Sequence, residues 1–301
     1  MANKGFLRRN QSKKVAAALF MLPTILFIMV FSLIPMLYSL WMSFQSYNTS
    51  MSKDSIHFIG LQNYISVLSN EQFLSSALWT FIFTICVVLL NVILGLALAM
   101  LLTYSKLERT SGVFKTIFTL PMMIAPIVIA TIWKLIFSPI YGLLNGLLVS
   151  VGMERIEWLS SELPARIALI TVEVWATTPL CMLIFIAAIK TVPVELLEAS
   201  TTDGATGIKK FLLITLPLIK NHIALIVTIR FMDSIRMFDI VYNLTNGGPG
   251  TSTETLASTI YKMAFRYFNV GEGSAAAYIF FLLIIMFSFM SMKLLSRKED
   301  V

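Results

Sequence analysis

Charge is scarce in this chain. Only 13% of its 301 residues are Asp, Glu, Lys or Arg, about half the share of an ordinary soluble domain. Cysteine is limited to Cys86 and Cys181, and histidine to His57 and His222. Both cysteines lie inside apolar runs and the histidines sit far apart, which leaves no disulfide framework and no zinc-ligand spacing to read. There is no G-x-x-x-x-G-K-[ST] stretch, so the chain carries no P-loop. It shows no nucleophile elbow and no paired carboxylates, and a membrane enzyme would lack its machinery here. It also lacks the internal repeat that many ion-coupled secondary transporters display, and it reads as one domain.

What is present is apolar: 57% of the residues are hydrophobic. Six runs are long enough to cross a bilayer, which takes about 20 residues in a helix that satisfies its own backbone. They are 15–44, 73–103, 114–137, 167–189, 223–244 and 275–295. The first follows Lys4, Arg8, Arg9, Lys13 and Lys14. It is too long for the apolar core of a signal peptide and is expected to be a retained anchor. Pro23, Pro35, Pro121, Pro126 and Pro179 are expected to kink or interrupt their helices.

The net charge of +7 reports topology rather than nucleic-acid binding, because no basic face is interleaved with stacking aromatics. Basic residues collect in the N-terminal tail, around Lys106, Arg109 and Lys115, in the segment with Lys190, Lys209, Lys210 and Lys220, and at Lys293, Arg297 and Lys298. The alternate segments hold only Lys53, Lys134, Arg155, Arg166, Lys262 and Arg266. This bias places both termini in the cytoplasm. Residues 1–14 are then a cytoplasmic tail, 15–295 a membrane domain with a cytoplasmic loop at 191–220, and 296–301 a second tail. Trp41, Trp79, Trp133 and Trp158 fall where an outer aromatic belt would lie.

Loop 191–220 begins with a helix expected over 193–201, since Pro suits a first turn, and Asp203-Gly204 breaks it. Ala199, Ser200, Gly204 and Ala205 are small, so another protein can approach the corner closely. Glu198 and Asp203 add charge at helix ends. An amphipathic loop lying on the membrane is the other reading these residues allow. The fifth run carries Arg230, Asp233, Arg236 and Asp239 at intervals of three. Charges in a membrane helix face the bundle or water, often paired, so Asp233, Arg236 and Asp239, with Tyr242 and Asn243 beside them, are candidates for a polar strip along a pathway. Arg236 is expected to pair with Asp233 or Asp239, so that its loss would strand a buried carboxylate. Asn91 and Glu173 read as interhelical hydrogen-bonding groups.

The loop resembles the EAA loop of binding-protein-dependent ABC importer permeases: E-A-A, three residues, G, nine residues, I-x-L-P. Here it runs Glu198-Ala199-Ser200, Gly204, then Ile214-Thr215-Leu216-Pro217, with Ser200 in place of the second Ala. The stretch from Phe58 to Tyr64 and the stretch from Phe238 to Pro249 are similar to segments of the carbohydrate-uptake (maltose and multiple-sugar) branch, in its first permease. The resemblance implies an all-α type I importer fold with six transmembrane helices, in a bacterial inner membrane. It implies a coupling helix that docks on an ATPase, with Glu198, Ala199, Ser200, Asp203, Gly204 and Ala205 at the contact. The chain itself would bind no cofactor; ATP and Mg would be used by the ATPase. The implied partners are a second, homologous permease in a heterodimer, two ATPase subunits, an extracytoplasmic solute-binding protein, a carbohydrate and lipid, with no nucleic acid. A permease for a non-sugar solute and, further off, an ion-coupled transporter are the alternatives.

Overall fold

The computed structural model describes residues 19–50, 56–104, 111–205 and 207–296. The expected terminal tails, Lys53, Lys106, Arg109, Arg297 and Lys298 therefore lie outside the described residues, except Ser296. Within the described residues the structure is helical, and the extended pairings are two isolated bridges, Gln45 with Phe58 and Asn48 with Asn269.

In chain order the helices are α1 Leu19–Ser43, α2 Gln62–Ser69, α3 Glu71–Tyr104 and α4 Ser111–Thr119, continued by a 3-10 turn at Leu120–Met123. Then come α5 Pro126–Ile136, α6 Leu143–Ser150, α7 Glu162–Lys190, α8 Val194–Thr202 and α9 Gly207–Leu218. The last are α10 Lys220–Ser234, α11 Asp239–Leu244, α12 Leu256–Tyr261 and α13 Val270–Ser296.

Four of the expected spans are continuous helices: α1, α3, α7 and α13. The shortest apolar stretch among them has 20 residues, about 30 Å at 1.5 Å per residue, the thickness of the hydrocarbon core. The third and fifth expected spans are not single helices. Gly112–Met123 meets Pro126–Ile136 at 100°. Ile124 and Ala125 are extended there (ψ 135° and 139°), the conformation that Pro126 imposes on the residue before it. Gly207–Leu218 meets Lys220–Ser234 at 70°, and α10 stops at Ser234 rather than running on to Leu244.

Other prolines are absorbed within their helices. A proline in a helix clashes with the carbonyl four residues earlier. For Pro35 and Pro217 those residues are Phe31 and Leu213, each at the centre of a wide π turn, Met29–Leu33 and Phe211–Thr215; the wider turn makes room for the ring. Pro179 leaves α7 unbroken. Just ahead of it, Thr177 and Thr178 donate their hydroxyls to the carbonyls of Glu173 and Val174, both at 2.6 Å.

The chain divides into two compact units. The first comprises Met1–Val67 and Lys262–Ile279. Its described part is stapled by the Asn63 side chain, which donates to the carbonyls of Ser43 and Gln45 at 2.8 and 2.9 Å, while Ser43 and Tyr64 share a hydroxyl bond at 2.7 Å. Here α1 presents almost nothing but apolar surface, most of it exposed.

The second unit comprises Leu68–Tyr261 and Phe280–Val301. One core cluster gathers Trp79, Phe83, Ile129, Phe137, Leu169, Val172 and Leu244. Another gathers Leu102, Cys181, Met182, Phe185, Ile219 and Ile226. The helices α3 and α7 touch closely where a Cβ on Gly95 would lie 2.7 Å from the Cβ of Cys181; small residues let membrane helices approach this way. Three of the four expected belt tryptophans are packing groups: Trp79 is buried under Arg166 at 4.7 Å, and Trp133 and Trp158 both pack at a tilt against Phe137. Trp41 alone of the four is largely exposed.

Candidate functional site

The loop helix α8 begins one residue after the expected start, with Pro193 as its cap. Its end is a Schellman motif. Gly204 takes φ +78°, its N–H donates to the Thr201 carbonyl at 3.0 Å, and the Ala205 N–H donates to the Ser200 carbonyl at 2.9 Å. These bonds satisfy carbonyls that a helix end would otherwise orphan, and the left-handed φ is the reason a glycine stands there. Glu198, Ala199, Asp203 and Gly204 are exposed and Ala205 half-buried. A Cβ on Gly204 would meet nothing within 4 Å. Ser200 is buried, and its hydroxyl donates to the Leu197 carbonyl at 2.8 Å, so the Ala-to-Ser departure costs the helix no unsatisfied group. Lys210 Nζ reaches the Thr201 hydroxyl at 2.6 Å and ties the second arm to the first.

The expected polar strip does not form. Because α10 ends at Ser234, the spacing of three is not propagated along one helix, and the charges part company. Arg230 is 4% exposed and points at α7, where it donates to Glu173 Oε1 at 3.0 Å; Glu173 is 1% exposed. Arg230 also reaches the Ser234 hydroxyl at 3.3 Å and Asp233 at 3.4 Å. Arg236 is 59% exposed, donates to the Met232 carbonyl at 2.7 Å and pairs with the half-exposed Asp233 at 3.3 Å. Its removal strands no buried carboxylate, contrary to the expectation above. Asp239 is exposed in the first turn of α11. Asn243 donates back to the Asp239 carbonyl at 2.7 Å. Tyr242 stacks on Phe238 and meets Tyr261 edge-on.

The buried pair instead faces a cavity of about 270 Å³. It is bounded by the broken third span (Pro121, Ile124, Ile129), by α7 (Glu173, Ala176, Thr177, Leu180) and by the end of the fifth (Arg230, Met237, Ile240). Asp239, Tyr242 and Asn243 are not among its walls. Glu173 Oε2 and Arg230 Nε are buried and have no hydrogen-bond partner among the described residues. Both atoms are sealed inside one low-dielectric wall, where an unmade hydrogen bond is costly. The sequence signal for this pair was an acid in one span and a base in another, each expensive to insert alone. Glu173 is the interhelical hydrogen-bonding group expected from the sequence, and the structure supplies Arg230 as its partner. Asn91 likewise links α3 to α7, through Thr177 at 3.0 Å and Thr178 at 2.9 Å.

Beside this cavity, α3, α4 and α7 border an apolar groove of about 750 Å³ that includes Leu94, Phe118, Ile170 and Trp175. No group of three or more metal-ligating side chains occurs among the described residues.

The family described as binding-protein-dependent transport system inner membrane component matches residues 91–300. The trehalose/maltose transport system permease protein MalF of Thermococcus litoralis is 34% identical over 94% of this chain and 94% of its own. The arabinooligosaccharides transport system permease protein AraP of Bacillus subtilis is 33% identical over 94% of this chain and 89% of its own. Among solved structures, a bacterial ABC transporter involved in the import of the acidic polysaccharide alginate superposes with a TM-score of 0.86 at 22% identity, covering 97% of this chain and 99% of that one.

Proposed function

The chain belongs to the binding-protein-dependent transport system inner membrane components, and from that premise we propose that it is the permease subunit of an ATP-driven carbohydrate importer, of the maltose-permease F-like type. The trehalose/maltose and arabinooligosaccharide relatives support the substrate class. One observation carries the mechanism: the exposed Schellman corner at Ser200–Ala205, with open space over Gly204. A rigid corner that bears no bulk is a surface on which an ATPase groove can close. The chain contributes no P-loop, so ATP and Mg act on two separate ATPase subunits.

The translocation path in this reading passes the Glu173–Arg230 cavity. Sugar hydroxyls both donate and accept, and they match the spare Glu173 oxygen and the Arg230 Nε once the wall that seals both atoms opens. Asp233 in the last turn of α10 and Arg236 and Asp239 at the break, with Tyr242 and Asn243, border the same path nearer the outer face. The apolar groove and the exposed α1 are covered by lipid and by a second, homologous permease that completes the pore; a solute-binding protein delivers the sugar from outside. The charge bias supports both termini in the cytoplasm.

The test is uptake of labelled maltose, trehalose and arabinooligosaccharide by cells expressing the whole complex, with the bound solute of the co-purified binding protein identified. We expect a sugar in the binding protein and a loss of its uptake in Glu173→Gln that exceeds the loss in Asp239→Ala. An amino acid, polyamine or inorganic anion in the binding protein would overturn the carbohydrate reading. Full uptake by Glu173→Gln would remove this cavity from the path. For topology, cysteines placed at Lys209 and Arg155 should be labelled by an impermeant thiol reagent from the inside and the outside of the cell respectively; the reverse result refutes the orientation.

A further inference from the structure

The fifth span is interrupted between Ser234 and Asp239, and an interruption inside a membrane leaves backbone carbonyls without helical partners. Two of them are taken by side chains. The Met232 carbonyl accepts from Arg236 at 2.7 Å, a contact within the same helix end. The Met237 carbonyl accepts from the hydroxyl of Thr255 at 3.0 Å, from 18 residues further along the chain. Met237 is a wall of the Glu173–Arg230 cavity, and Thr255 is not.

Thr255 is itself held from both sides. It is fully buried. Its N–H donates to the Ser258 hydroxyl at 3.0 Å, and the next N–H, of Leu256, donates to the Thr80 hydroxyl at 2.8 Å. Thr259 donates to Ser76 at 2.8 Å. Immediately upstream, Gln72 donates to the buried Glu254 carboxylate at 2.6 Å, and Thr253 bonds Thr245 at 2.8 Å and the Gly248 carbonyl at 2.7 Å. Further back, Arg166 Nε donates to the Ser252 carbonyl at 2.9 Å. The segment from Thr245 to Thr259 is therefore fastened to α3 and α7 by side-chain bonds, and Thr255 extends that fastening to the break.

We infer that Thr255 is a positioning residue for the translocation path: its hydroxyl fixes the Met237 carbonyl, and through it the break that forms one wall of the Glu173–Arg230 cavity. The segment 245–259 also meets α11 where the Thr245 N–H and hydroxyl donate to the Val241 carbonyl at 3.2 and 3.0 Å, beside the wall residue Ile240, and the Thr255 hydroxyl adds a separate tie at Met237. The inference rests on the cavity belonging to the path. That premise is tested separately by uptake in Glu173→Gln, so the two can fail independently.

The experiment uses membranes containing the assembled complex, in which the chain carries Cys86→Ala, Cys181→Ala and Met237→Cys. The Met237 change leaves the carbonyl in place. The readout is the rate of N-ethylmaleimide labelling at position 237, per assembled complex. Thr255→Val keeps the shape and removes the hydroxyl; Thr255→Ala removes it without an added methyl; Thr255→Ser retains it. Loss of one buried hydrogen bond should raise labelling about fivefold or more in the Val and Ala variants and leave the Ser variant unchanged. Thr177→Cys, on α7 in the lining of the same cavity, serves as the control and should label equally in all backgrounds. Unchanged labelling at 237 in Thr255→Val, an equal rise at 177, or a Ser variant that behaves like Val would overturn the inference. So would failure of both hydroxyl-free variants to assemble, which would leave Thr255 a folding residue only.

Discussion

The corner of α8 and the Arg230–Glu173 pair are both proposed to serve transport, yet they are built in opposite ways. The corner is local: two consecutive backbone bonds and one left-handed glycine make it, with exposed side chains around it. The pair joins residues 57 apart in sequence, both nearly sealed from solvent. A local feature on the surface can change its side chains without endangering the fold. A buried ion pair cannot lose one member without leaving the other uncompensated. The comparison therefore expects stability to be decided at the pair and coupling to be decided at the corner.

The hardest test of that contrast is Arg230→Ala. Leaving Glu173 buried without its partner should cost about 3–5 kcal/mol, seen as lost yield and a lower unfolding temperature of the purified complex. Changing both Arg230 and Glu173 to Leu should recover most of that loss, because well-packed apolar residues often replace a buried pair without penalty. A single variant as stable as the parent would break the comparison at its stronger end.

Gly95→Ala probes the interior without touching charge. The added Cβ would meet Cys181 at 2.7 Å, and overpacking of this kind costs about 1–3 kcal/mol. Gly95→Ala combined with Cys181→Gly should relieve part of it. If the single change is silent in thermal unfolding, α3 and α7 are less tightly packed than the structure has them.

At the corner, Gly204→Val should cost about 1–2 kcal/mol through the left-handed φ, less than the loss of Arg230. Its effect on function should be larger than its effect on stability: ATPase co-purification and uptake should both fall while the amount of inserted subunit holds. Gly204→Asn, which tolerates that φ, separates backbone strain from bulk at the docking surface. Normal ATPase association in Gly204→Val would sink the docking assignment.

The smallest expected effect is at Arg236. Its pair with Asp233 is about half exposed on both sides, and such pairs contribute about 0–1 kcal/mol. Arg236→Ala should therefore leave the unfolding temperature of the complex within error of the parent. A loss comparable to that of Arg230→Ala would mean that the exposed pair, not the buried one, holds the fifth span.

Much of the architecture was legible beforehand. Long apolar runs give membrane helices because an unpaired backbone is intolerable in lipid, and α1, α3, α7 and α13 lie where the runs do. The corner of α8 was legible too, since Asp-Gly after a helical stretch states its own backbone conformation. Trp79, Trp133 and Trp158 pack against neighbouring side chains, contacts that a linear sequence does not name, because an aromatic near a span end packs as readily as it anchors.

The sequence by itself determined which segments enter the membrane, which loop carries the small-residue corner, and that charges in the fifth span needed partners. Only the tertiary structure decided who those partners are. Spacing along the chain ranks neighbours on one helix, and the break after Ser234 removes the helix on which the ranking depended. Arg230 then turns to Glu173 on α7, Arg236 turns outward, and the Met237 carbonyl is claimed by Thr255. Desolvation makes these choices: a charge or carbonyl inside the bundle takes the nearest buried partner in space, and nearness in space across helices is what a linear sequence does not record.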